Sequence, residues 1–73
     1  MRVEDAEQVL RAGANVKVNM MSVEYLVRLA AAARDSGTDL TIVGEMPVNR
    51  MLTVAAAGGG NVTFDTTKHD IKE

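Results

Sequence analysis

ANVKVNMMSVEYLVRLAAAA (residues 14–33) is followed about two dozen residues later by TDLTIVGEMPVNRMLTVAAA (residues 38–57), and a third opening, GNVTFD (residues 60–65), starts the same pattern again. Each copy begins with a short polar/apolar alternation and, where it is complete, continues into an apolar, alanine-rich run. Alternation with a period of two is the mark of a strand with one wet face, because successive side chains point to opposite sides of a sheet. A sequence period in this range signals stacked units that cannot bury their apolar faces alone.

Working outward from that stretch, Val16 and Val18 alternate with Asn15, Lys17 and Asn19 in the first predicted strand. Leu40 and Ile42 alternate with Asp39, Thr41 and Val43 in the second, and Val62 and Phe64 face inward from the third. Ser22 fits the N-cap of a helix whose buried stripe is Val23, Leu26, Val27, Ala30 and Ala33, with Ala31 and Ala32 on its outer face. Pro47 fits the first position of a further helix, where its missing N–H costs nothing, with Val48, Met51, Leu52 and Ala55 toward the core and Ala56 outward. Residues 3–12 read as an N-terminal helix with Val3, Ala6, Val9 and Leu10 on one side, ended by Gly13. The expected order is therefore α, β, α, β, α, β in one domain over residues 1–65, with residues 66–73 as a flexible tail.

Strands joined by helix crossovers are parallel in nearly all cases. A parallel sheet covered on both faces has near-continuous apolar strands, whereas these three alternate. The expectation is an α/β fold: a short βα-repeat solenoid with a three-stranded parallel sheet and all helices on one face. This pattern resembles, over roughly residues 14–65, the leucine-rich repeats of the longer, helix-containing kind. Asn19 stands near the place of that family's buried asparagine, with Val, Ile and Met at most of its leucine positions. The resemblance is one of architecture. It implies that the bare sheet face is the one that grips a partner, and no functional residue is carried over from it.

Composition narrows the functional classes. The chain has 73 residues, no cysteine, one histidine (His69) and a net charge of −2. A domain of this size buries only roughly 60% of its unfolded surface. Disulfides are excluded, a zinc site has too few ligands, and oligomerisation is the support that remains. The scattered Lys and Arg residues make no basic stripe, which argues against nucleic acid. No apolar run approaches the roughly 20 residues needed to span a bilayer, and no signal peptide is evident, so a cytoplasmic location is expected.

Candidate sites follow from the repeat register. Asn15, Lys17, Asn19, Thr41, Thr63 and Asp65 form the expected partner surface on the bare sheet face, with small polar β-formers that merely keep the sheet wet as the plainer reading. Met20, Met21, Glu45 and Met46 crowd the loops after the first two strands, as an adaptable surface or as core filler. Gly58-Gly59-Gly60 follows a helix and precedes a strand, the wrong side for a phosphate cradle. Glu45 has no second group to make an acid–base pair, and His69 lies in the tail. No catalytic residue, metal or cofactor is expected. The third strand has no helix after it, so Val62, Phe64, Val54 and Ala57 are the expected self-association surface, unless the tail folds back with Ile71 as a plug. The leading expectation is a non-enzymatic interaction or assembly module, binding copies of itself or another protein. The alternative is a small-ligand or regulatory domain using the strand-to-helix loops.

Overall fold

A computed structural model describes residues 2–66. The predicted tail, with His69 and Ile71, lies outside the described residues apart from Thr66. The elements run α1 (Val3–Arg11), β1 (Val16–Asn19), α2 (Val23–Ser36), β2 (Leu40–Val43), α3 (Val48–Gly58) and β3 (Val62–Asp65). The strands form one parallel sheet in the order β1-β2-β3. The helices lie in a row on one face of it, with α2 packed between α1 and α3.

Local chemistry explains the helix ends. Glu4 and Asp5 open α1 and Arg11 closes it, in favourable order for the helix dipole. At the end of α1, Gly13 N–H donates to the Leu10 carbonyl and Ala14 N–H to that of Val9. At the end of α2, Gly37 and Thr38 repeat this with Arg34 and Ala33. Both ends are Schellman caps, and both need a left-handed residue, which Gly13 (φ 105°) and Gly37 (φ 69°) supply. Ser22 is the N-cap of α2 as expected, but it acts through its carbonyl, which accepts from Tyr25 and Leu26 N–H. Pro47 sits one position earlier than the sequence suggests. It is the N-cap of α3, its carbonyl accepting from Arg50 and Met51.

The core lies between sheet and helices. Leu10, Leu26, Leu29, Leu40, Ile42 and Val54 are its largest fully buried side chains. Each contributes on the order of 1.5–3 kcal/mol by leaving water. Val16 and Val18 are buried, while Val62 and Phe64 are half-buried against the same cluster. Ala30, Ala32 and Ala33 are fully buried, so α2 meets its neighbours through methyl groups on both flanks.

Several expected faces turn out differently. Ala32, expected outward, is fully buried, because α1 covers that side of α2. Val9, expected inward, is 37% exposed at the margin of α1. On α3 the expected core residues Val48 and Leu52 are 67% and 65% exposed, and Val54 and Gly58 are buried in their place. The polar residues Asn49, Arg50 and Thr53 cover only one side of α3 and leave a wide apolar arc, so the sheet and α2 select which part of that arc is buried.

Candidate functional site

Three surfaces are candidates: the sheet face away from the helices, the loops at the carboxyl ends of the strands, and the far end of the helix row. On the sheet face the parallel register aligns Lys17, Thr41 and Thr63 in one row and Asn19, Val43 and Asp65 in the next. Lys17, Asn19 and Thr63 are exposed; Thr41, Val43 and Asp65 are half-buried. The expected polar rows are thus brought together.

The row before them has a different job. Asn15 Oδ1 accepts from Asp39 N–H at 2.9 Å, and Asn61 Nδ2 donates to the Thr38 carbonyl at 2.8 Å. These two asparagines tie the turns entering adjacent strands. Asn15 is exposed, but that side-chain oxygen is engaged in holding the fold. Thr38, which sequence reasoning passed over, is buried, and its hydroxyl points to the Leu10 carbonyl at 3.4 Å. A threonine after a helix-ending glycine carries no sequence mark of that contact.

The loops after β1 and β2 stack on each other. Met20 N–H donates to the Val43 carbonyl at 3.0 Å, and the Met20 side chain lies over Gly44. Met21 and Met46 pack against the core, whereas Met20 is 47% exposed. Glu45, Met46, Pro47 and Thr66 line an open cavity of about 420 Å³. A smaller one of about 190 Å³ lies beside residues 17–21. Among the described residues no group of three His, Cys, Asp or Glu side chains is placed to hold a metal.

Electrostatics concentrate elsewhere, between α1 and α2. Glu7 Oε1 receives Arg28 through Nη2 at 2.8 Å and Nε at 3.0 Å, and Arg11 reaches Glu7 at 3.5 Å and Asp35 at 3.9 Å. The hydrogen bond from Arg28 is the main cause that holds the Glu7 carboxyl below its usual value, opposed by partial burial and helped by the charges of Arg28 and Arg11. The same bond raises Arg28 above its own. This cluster ties α1 to α2.

The far end of the helix row is built differently. Of the expected self-association residues, Val54 is fully buried within the chain, because it points from α3 at the sheet. Val62, Phe64 and Ala57 are half-buried against the core. The exposed apolar side chains at this end are Val48 and Leu52, the two assigned from sequence to the interior.

Their position has a counterpart on α2. Ala30 and Arg34 of α2 lie against Gly58 and Gly59 at the end of α3, so the line Val23–Val27–Ala30–Arg34 is the flank of α2 toward α3. Pro47 stands 25 residues beyond Ser22, cap to cap. Moved by that interval, the line becomes Val48–Leu52–Ala55–Gly59 on α3. Val23 and Val27 are half-buried in the packed core, whereas Val48 and Leu52 stand in the open. Among the described residues no helix lies beyond α3 and no strand beyond β3. No helix of the described residues is long and apolar enough to cross a membrane. Comparison with family models, curated proteins and solved structures finds no match.

Proposed function

We propose that the chain is a non-enzymatic assembly module that associates with copies of itself through the α3–β3 end of its helix row. The observation that carries this reading is the exposed Val48–Leu52 line, the repeat-register equivalent of the flank on α2 that α3 covers. The bare face with Lys17, Thr41 and Thr63 is a second surface, open for another protein once the assembly forms.

Two such residues per copy, each about two-thirds exposed, would contribute roughly 4–8 kcal/mol when covered on both sides. Association itself costs at least about 4 kcal/mol. The complex is therefore weak, and its mass must be followed from micromolar to millimolar concentration. Light scattering should show the average mass rising above that of one chain over this range. Leu52→Glu should hold it at the monomer while the circular dichroism spectrum stays unchanged, since Leu52 contributes little to the core. A monomeric mass for the unaltered chain throughout the range overturns the proposal.

A second reading is favoured by the cavity of about 420 Å³ beside Glu45, Met46 and Pro47, because open α/β sheets bind small ligands at the carboxyl ends of their strands. It is the better one if the chain is monomeric and a metabolite library raises its melting temperature.

A further inference from the structure

We infer that the partner is a second copy of this chain related by a two-fold axis, with β3 pairing antiparallel to β3 of the second copy and α3 lying against its α3. This rests on the assembly reading above and fixes its geometry, excluding an open head-to-tail row.

The two ends of the helix row are chemically unlike. On α1, Glu7 and Arg11 face α2, where they meet Arg28 and Asp35. At about 100° per residue, the opposite flank of α1 carries Asp5, Val9 and Ala12, all exposed. On α3 the outward flank carries Val48, Leu52 and Ala55, and its one charged residue, Arg50, stands about 160° round the helix from Leu52. A head-to-tail row would press Asp5, which stands beside Val9, onto Val48 and Leu52. That contact strips water from a carboxylate with no cation opposite it, the costly way to bury a charge. A two-fold axis instead sets apolar residues against their own copies, and such a contact closes on itself.

The sheet edges differ in the same sense. β1 carries Lys17, a residue type that discourages pairing at an edge, whereas β3 is Val62-Thr63-Phe64-Asp65 with neither Lys nor Pro. The hydrogen-bond directions also select a register. Val16 and Met20 N–H donate to carbonyls of the strand after theirs, and so do Leu40 and Gly44. Amides of this parity point forward along the sheet. On β3 they belong to Val62 and Phe64, whose N–H and C=O groups therefore face the outer edge.

Two antiparallel copies of this edge exchange bonds between Val62 and Phe64 of the opposite chain, with the axis passing beside Thr63. The two Thr63 side chains then meet on the bare face, where Thr63 is exposed. Asp65 comes opposite Asn61, so no like charges are opposed.

The test uses Thr63→Cys in the full chain, which has no cysteine of its own. At a non-hydrogen-bonded antiparallel pair the Cα atoms are about 4.5 Å apart, within disulfide range. Mild oxidation should convert the variant to a covalent dimer. Thr41→Cys, on the same face of the central strand, should stay monomeric on a non-reducing gel. Adding Leu52→Glu to Thr63→Cys should slow the cross-link by about tenfold or more, the effect of losing at least about 1.4 kcal/mol of association. Oxidised Thr63→Cys that stays uncross-linked, while the unaltered chain grows in mass with concentration, overturns the two-fold geometry and leaves self-association standing. An unaltered chain that is monomeric at every concentration overturns both.

Discussion

Gly58 is the last residue of α3, and a methyl group there has nowhere to go. A Cβ built on it would overlap the Cγ2 methyl of Val62 and come within 3.4 Å of the Ala30 Cβ. The glycine therefore sets how closely α3 approaches both α2 and the third strand. In an open helix position, replacing glycine by alanine stabilises by about 0.4–1 kcal/mol through the unfolded chain. Here the added methyl overpacks a junction of three elements, which costs about 1–3 kcal/mol. Val62 cannot easily yield, since its branched side chain is stiff at χ1. The net expectation for Gly58→Ala is a loss of up to about 2.6 kcal/mol, centred on about 1.3, or a melting temperature lower by several degrees in a domain of this size. The decisive measurement is a double-mutant cycle by urea denaturation. Val62→Ala alone should destabilise by lost packing, but combined with Gly58→Ala it should recover most of the glycine variant's loss, giving a coupling of about 1 kcal/mol or more. If Gly58→Ala stabilises the chain, or the two effects simply add, the close-approach argument is wrong.

Two further outcomes test other parts of the structure. Because Glu7 titrates below the ordinary glutamate value near 4.5, the α1 clamp contributes fully above that pH and is lost as pH falls through the lower folded-state value. The melting-temperature gap between the unaltered chain and Glu7→Gln should then be constant at neutral pH and shrink below about 4.5; a gap of undiminished size at pH 3 would refute the clamp. Asn15→Ala removes the acceptor of Asp39 N–H; it should cost about 0.5–1.5 kcal/mol in chemical denaturation and speed amide exchange at Asp39, whereas unchanged exchange would show that the tie is not made.

The repeat at residues 14–33 and 38–57 carries most of the fold in readable form. Polar and apolar residues alternate at Val16–Asn19 and Asp39–Ile42, and that alternation is a direct record of one wet and one dry face. Parallel pairing follows from the helices between the strands, and Gly13 and Gly37 mark helix ends because few other residues take a left-handed cap. The sheet-face rows were legible for the same reason: once strands are parallel and in register, Lys17, Thr41 and Thr63 must be neighbours. The engagement of Asn15 and Asn61 was not, because an asparagine before a strand looks the same whether its amide meets solvent or the next turn.

What tertiary structure alone decided is which side of α3 is inside. The pattern Val23, Leu26, Val27, Ala30 on α2 recurs as Val48, Met51, Leu52, Ala55 on α3, so both helices read alike. Periodicity records which residues are apolar, but burial depends on what stands beside them. α2 has a helix on each flank and the sheet beneath, and its stripe is covered. Among the described residues α3 has a helix on one flank only, and Val48 and Leu52 of the same stripe face outward while Val54 and Gly58 are buried. Composition by itself made the chain small and free of cysteine; the packing of α3 against α2 on its other side is what left Val48 and Leu52 uncovered.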